Sequence, residues 1–319
     1  MRKLRFGDSD LYSIQLHDKE IFDEYLKKCD YQNHLWSSNF DYLWADSQSD
    51  DKRILWRIVD DMLIPFVLLK KTGLHLVHLP FGCGTPEQVL YVTYKNLQFC
   101  NEWNRRNGYY PATVRTLNSE QMDFIRVSDK FDEYFEFMKI NGVERYFSIQ
   151  KLIQLVGKDF ARIRNLINQF KRNYPQAMIR EYNPDDYHSV LQVNKGWKET
   201  ASTKYSTIFD DVYFYEIMTH YQELGHIILV VEIDKKIVGL VSGGITAPGQ
   251  SWGCISKRLS QINGLNEAMI IEFAKYIHAL NPHVELLNVG SDLGVDGLVS
   301  YKEKFRPVRN LERFRITLR

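Results

Sequence analysis

The residues with the clearest chemical meaning lie between 251 and 280, SWGCISKRLSQINGLNEAMIIEFAKYIHAL. The run 251–257 can extend as a strand, and a polar turn carrying Gly264 spans 259–266. Met269, Ile270, Phe273, Tyr276, Ile277 and Leu280 then recur at the spacing of one helical face. A strand that feeds a helix through such a turn leaves backbone N–H groups unpaired at the helix's positive end, which suits a phosphate or pyrophosphate. The same residues also describe an ordinary strand-to-helix connection in which Gly264 only relieves the turn. Cys254 could serve as an acylated nucleophile, but the sequence places no histidine to activate it. His75 and His78 are three apart in an expected strand and so face opposite ways, which argues against a shared metal.

A second cluster lies at 158–172. Phe160, Ile163, Ile167 and Phe170 fall on one helical face, with Lys158, Arg162 and Arg172 opposite and Arg164 and Lys171 flanking them. Five positive charges against Asp159 leave a local excess of four in a chain whose net charge is +1. Such a face is either simply solvated or a surface for phosphates, of an RNA or of a nucleotide-bearing donor.

The surrounding composition narrows the class. With 319 residues, 44% hydrophobic and 13% aromatic, the chain is globular and long enough for two domains. Near-balanced charge removes any global pull toward nucleic acid or an anionic membrane, so such binding must come from a local patch. Cys29, Cys83, Cys100 and Cys254 are scattered, fitting neither a disulfide framework nor a zinc site. No run approaches the roughly 20 apolar residues of a membrane span, and the first residues lack a signal peptide's apolar core, so a cytoplasmic protein without membrane insertion is expected.

Stepping along the chain, helices are expected at 18–29, 87–103, 119–125 and 129–138, with strands at 53–57, 64–70, 73–79 and 111–117. After residue 177 the order becomes strand, two helices, a hairpin turning at Asp234-Lys235, the strand, turn and helix of 251–280, then strand, helix, strand. That is an α/β domain with a mixed sheet.

This order resembles the GNAT acyltransferase fold. The hairpin ILVVEIDKKIVGLVSGG looks like its second and third strands, and Gln261 to Asn266 is similar to its pyrophosphate-cradling turn, with Asn266 where a small residue is usual. A closer resemblance is to the phosphatidylglycerol lysyltransferase C-terminal family of tandem GNAT modules, carried by RYFSIQKLIQLVGKDFARIRNLINQFKRNYP, ISKRLSQINGLNEAMIIEFAK and NVGSDLGVDGLVSYKEKFRPV. An arginine common after the Gly-Leu of that last segment is Val299 here. The resemblance implies two tandem GNAT-like modules, each a mixed, splayed sheet flanked by helices. A degenerate module would occupy 1–130, a connecting helical segment with a basic face 131–175, and a catalytic module 176–319.

It also implies transfer of an acyl group from acyl-CoA, or an aminoacyl group from aminoacyl-tRNA, to an amine of a small molecule or peptide. The tRNA would lie on Lys158, Arg162, Arg164, Lys171 and Arg172. The donor would be held by Ile255, Lys257, Arg258, Gln261, Asn263, Gly264, Leu265, Asn266 and Lys302, with the backbone of 255–257 meeting its carbonyl. Acyl transfer to an amine needs the nucleophile neutral and the leaving group protonated. Asp292, just past a strand, is the candidate base or ammonium ligand, although it can equally cap the next helix. Tyr301 stands where many GNAT enzymes hold a leaving-group acid. No metal is expected. The strand 251–257 carries no carboxylate, which favours the alternative of a non-catalytic module binding a nucleotide-bearing ligand.

Overall fold

The computed structural model describes residues 2–6, 9–202, 211–259 and 262–319. They form two compact units, Met1–Glu144 with Leu311–Arg319, and Arg145–Asn310. The first contains β1 (Arg2–Phe6), β2 (Ser9–Ser13), α1 (Lys19–Lys27), α2 (Phe40–Asp46), β3 (Lys52–Val59), β4 (Met62–Leu69), β5 (Gly73–Leu76), α3 (Pro86–Arg106), β6 (Thr113–Asn118), α4 (Ser119–Arg126), α5 (Phe131–Tyr134) and the start of β7 (Phe135–Ser148). The second holds the end of β7, α6 (Ile149–Gln154), α7 (Ala161–Asn173), β8 (Met178–Glu181), α8 (Tyr187–Ala201), α9 (Asp211–Leu224), β9 (Ile227–Ile233), β10 (Lys236–Ala247), β11 (Gln250–Arg258), α10 (Leu265–Leu280), β12 (Leu286–Ser291) and α11 (Asp296–Glu303). The last strand, β13 (Arg309–Leu318), returns to the first unit, where it pairs antiparallel with β6.

The units therefore divide elsewhere than at 130 and 175, and 131–175 is not a helical connector. Residues 135–148 form a strand, in which Phe137 packs on Phe131 and on Phe314 from far along the chain. The return of β13 is a pairing between distant residues that local pattern does not encode.

Each unit is a mixed sheet with helices against it. In the first, β5 and β6 are parallel neighbours while β1 to β5 run antiparallel in sequence order. In the second, the order is β7, β12, β11, β10, β9, β8, with β11 and β12 parallel. Both meanders turn on two residues with positive φ, Asp60 and Asp61 at 50° and 56°, and Asp234 and Lys235 at 50° and 62°. Such pairs match the right-handed strand twist, and aspartate tolerates them best after glycine and asparagine.

The helix α10 sits at the centre of the second unit's core. Leu265, Met269, Phe273, Ala274 and Ile277 are fully buried, and Ala268, Ile270 and Ile271 nearly so. The apolar surface is thus wider than the expected stripe, because β10 and β11 lie on one side and α6 and α7 on another. Leu280, expected in the stripe, is 55% exposed at the helix end. Among the described residues no helix is long and apolar enough to cross a membrane.

Candidate functional site

The site begins with a break in the sheet. Parallel β11 and β12 pair only at Gln250, Ser251 and Trp252 against Leu286, Leu287 and Asn288, and then part. Three local causes drive β12 away. Asn288, buried, folds its Oδ1 back to accept from Gly290 N at 2.8 Å, and Gly290 takes φ of 72°, which ends the extended run. The carbonyls of Val289, Gly290 and Ser291 accept from Lys302 Nζ at 2.7, 2.9 and 2.8 Å. One buried ammonium from α11 thereby takes over work that strand pairing would otherwise do.

Across the gap, β11 is irregular as well. Gly253 pairs with Gly243 and Ser256 with Val241, so Cys254 and Ile255 together oppose Ser242 alone. This β-bulge takes one backbone position out of the ladder and re-aims its amide. The strands approach so closely beside it that a Cβ on Gly243 would lie 1.9 Å from the Trp252 carbonyl oxygen. Ser242 is fully buried and shares a 3.0 Å hydrogen bond with His226 Nε2, whose ring meets Trp252 edge-on. A bulge amide beside a splayed edge can hold the oxygen of an activated carbonyl.

Tyr301 lies on α11. Its hydroxyl is buried and has no hydrogen-bond partner among the described residues. Burial first, then the Glu267 carboxylate, push the phenol well above its ordinary pKa, with Arg258 opposing them. It is therefore a neutral proton donor within electrostatic reach of the end of β11 and the first turn of α10. Lys304 covers the ring at 5.1 Å from its centroid and pairs with Glu267.

Several expected ligands are committed elsewhere. Asp292 is 1% exposed, and its Oδ2 accepts from Arg145 Nε at 2.9 Å and Nη2 at 2.7 Å while Oδ1 accepts from Gly294 N at 3.1 Å. Both oxygens are engaged, so the structure makes it the anchor of the turn after β12 rather than a base. Lys302 serves the carbonyls just described and does not reach out to a phosphate. Lys257 is 1% exposed and its Nζ donates to Asn194 Oδ1 at 2.6 Å, under the rings of Trp197 at 4.1 Å and Phe214 at 4.7 Å. The side chains of Ile255 and Leu265 are core, leaving only their backbone for a ligand. Arg164 donates to the carbonyls of Leu155 and Gly157, closing the left-handed end of α6.

Gly264 is needed, but for packing. Its φ is 80°, and a Cβ there would stand 2.1 Å from the Leu166 carbonyl oxygen of α7. The start of α10 is thus pressed onto α7 at this point, with Asn263 exposed and Asn266 half-buried beside it. Gln261 lies outside the described residues. Among the described residues no side chain caps α10. The contrast with α3 is direct: there Thr85 accepts from Gln88 N at 3.3 Å and Gln88 Oε1 from Thr85 N at 2.8 Å, filling the equivalent strand–glycine turn–helix of the first unit with its own side chains. Lys158, Arg162, Lys171 and Arg172 remain exposed. No group of His, Cys, Asp or Glu that could hold a metal occurs among the described residues.

Arg145, Asn288, Ser242, His226, Glu267 and Lys304 were not singled out by their sequence context. Only the acidic position at the start of α10 gives a local signal, since a carboxylate in a first turn suits the helix dipole.

Comparisons with known proteins agree with this architecture. Residues 47–317 match the family described as phosphatidylglycerol lysyltransferase, C-terminal. No curated protein sequence matches. A conserved protein of unknown function from Bacteroides thetaiotaomicron superposes with TM-score 0.82 at 21% identity, over 97% of this chain and 99% of that one. The L-PGS structure from Bacillus licheniformis gives 0.67 at 17% identity, over 96% and 92%. A tandem GNAT protein from the clavulanic acid biosynthesis pathway gives 0.54 at 9% identity, over 97% and 98%. At these identities the three structures establish the tandem GNAT fold.

Proposed function

The chain belongs to the phosphatidylglycerol lysyltransferase C-terminal family, a family of GNAT-fold transferases, and from that premise we propose that its second unit moves an aminoacyl group from an aminoacyl-tRNA ester to an amine of a small molecule or peptide. The observation that carries the reading is the parting of β11 and β12 beside the bulge at Cys254 and Ile255.

In this reading the ester carbonyl enters the gap and its oxygen meets the bulge amide. The acceptor's nitrogen lone pair attacks the carbonyl carbon, and the developing oxyanion is held by that amide. The carbon–oxygen ester bond then breaks, the leaving ribose oxygen takes the proton of Tyr301, and the proton lost by the new amide returns the phenolate to its neutral form. Asp292 and Arg145 act at one remove, by fixing the turn that carries α11. The exposed cations Lys158, Arg162, Lys171 and Arg172 would lie along the RNA backbone.

A second donor is favoured by one observation. The uncapped start of α10 leaves first-turn amides for an anion, which fits the pyrophosphate of acyl-CoA and a thioester in place of the ester. Against it stand the pressing of Gly264 onto α7 and the commitment of Lys302. The two are separated by incubating the chain with charged tRNA or acyl-CoA and an amine panel and following amide formation. For the first reading, log affinity for tRNA should fall linearly with log salt, and neutralising the four cations should flatten the slope by about three. A slope unchanged by those substitutions, with amide formed only from acyl-CoA, would replace the first reading by the second.

A further inference from the structure

The second unit holds a cavity of about 630 Å³ that the transfer reaction does not use. It lies between the start of α8 and the end of α9, and Tyr182, Asp185, Tyr187, His188, Met218 and Tyr221 are among the residues that line it. From Tyr182, whose N–H donates to the Ile228 carbonyl on β9, the sheet runs through Ser242 on β10 to the bulge on β11. Three strand spacings of about 4.8 Å put the cavity roughly 14 Å from that bulge, so the two sites are separate.

Aromatic rings make its walls. Tyr182 is 6% exposed, and its ring stands at 85° to that of Tyr221 with centroids 5.0 Å apart, which forms a corner. The helix α9 departs from helical φ and ψ at His220, immediately before Tyr221, and the His226 N–H closes on the Tyr221 carbonyl at 2.8 Å. Tyr187 is half-buried in the first turn of α8, its ring at 69° to that of His188. Three tyrosine rings, each with a negative face, thus line one space.

The charge in that space has one sign. Pro184–Asp186 is a short 3-10 turn capped by Asn183, whose Oδ1 accepts from Asp185 N at 3.0 Å. Asp186 is spent on Arg180, whose Nη1 and Nη2 lie 2.6 and 2.8 Å from its oxygens, and on the Asn183 N–H at 3.0 Å. Glu232 holds the same guanidinium at 2.9 and 3.2 Å. The Asp185 carboxylate, by contrast, is exposed and has no ion pair or hydrogen bond among the described residues. Among those residues no lysine or arginine lines the cavity. The Tyr182 phenol stays neutral, since burial first, then Tyr221, Asp186 and Tyr187, push it up to about 12. The end of α9 adds the negative pole of its dipole.

We propose that this cavity binds the quaternary ammonium head of a small molecule, with its methyl groups against the rings of Tyr182, Tyr187 and Tyr221 and with Asp185 as counter-charge. Such a cation is drawn to aromatic faces and asks for no hydrogen bond. A primary ammonium is more strongly hydrated and loses more on entering a space walled by rings, Met218 and Pro184. A neutral molecule of the same shape keeps the apolar contact but not the attraction of the rings or of Asp185.

The test is calorimetric titration of the full chain with choline, its uncharged carbon isostere dimethylbutanol, ethanolamine and adenosine, together with hydrogen exchange of the wild type with and without choline. Saturable one-to-one binding of choline is expected, tighter than that of dimethylbutanol by about tenfold or more, with ethanolamine also weaker. Protection is expected in peptides covering 182–188 and 218–222. Tyr187→Leu and Tyr221→Leu should each weaken choline binding about three- to tenfold, and Asp185→Asn about threefold, the last loss fading at high salt. The wild-type titrations and exchange pattern decide the matter even where a variant fails to fold. No saturation by about 50 mM choline overturns the proposal. So does dimethylbutanol, ethanolamine or adenosine binding as tightly as choline, protection confined to other segments, or unchanged binding by all three folded variants.

Discussion

Replacing Tyr301 by phenylalanine should make the protein more stable and much less active. The ring's edge-on contact with Phe305 and its cover by Lys304 need only the aromatic face, which phenylalanine keeps. What leaves is a buried hydroxyl that has no partner among the described residues and whose desolvation is uncompensated. A buried polar group of this kind costs about 1–3 kcal/mol, so Tyr301→Phe should gain up to that amount. For a domain of this size each kcal/mol corresponds to a rise of roughly 2–4 °C in melting temperature. Loss of a positioned acid should lower turnover by about 10²- to 10⁴-fold, with little change in donor affinity. Differential scanning calorimetry and single-turnover transfer read the two effects on one sample. A variant that melts lower, or one that turns over like the wild type, refutes the assignment of Tyr301 as the waiting proton donor.

Other perturbations follow from the same geometry. Gly264→Ala sets a Cβ against the Leu166 carbonyl at a positive φ and should cost more than about 2 kcal/mol in urea unfolding, whatever the ligand; a cost below about 0.5 kcal/mol would show that α10 does not press on α7 there. Lys302→Met removes the donor shared by three carbonyls and should destabilise by about 2–4 kcal/mol and loosen the end of β12, visible as faster amide exchange in 286–291. His34, His75 and His78 all have pKa values lowered to about 4, chiefly by burial. Their unfolded forms take up protons below about 6.5 while the folded forms do not, so stability is full above that pH and falls as pH drops toward 4. His75→Gln should shrink this acid loss by up to roughly 3 kcal/mol, and an unchanged pH profile would contradict it.

Much of the fold could be read from residue pattern, and for identifiable reasons. Both two-residue hairpins announce themselves through paired acidic or polar turn residues between apolar runs, and α10 through its apolar spacing. The strand β7 was read partly as helix because Phe131, Tyr134 and Phe135 fit either period over so short a stretch, and its aromatic partner Phe314 lies far along the chain. The candidate site was legible by position but not by role. Asp292 and Lys302 stand where the segment after β12 suggested, yet Arg145, 147 residues earlier, claims the carboxylate, and the strand carbonyls claim the ammonium. Sequence spacing says which residues are near a turn; it does not say which of them has already found a partner. Tyr301 stays a candidate for its expected role, because its buried hydroxyl has no hydrogen-bond partner among the described residues.

The central claim is that an activated carbonyl lies in the gap between β11 and β12 with its oxygen on the bulge at Cys254 and Ile255. The most direct measurement is a crystal structure of the full chain with a stable donor analogue, an aminoacyl group joined by an amide to the 3′ position of adenosine. The account predicts density for the aminoacyl carbonyl in that gap, its oxygen within hydrogen-bond distance of a bulge amide and the 3′ atom beside the Tyr301 hydroxyl. Density for the analogue elsewhere, with β11 and β12 closed on one another or the gap filled by side chains, would contradict it.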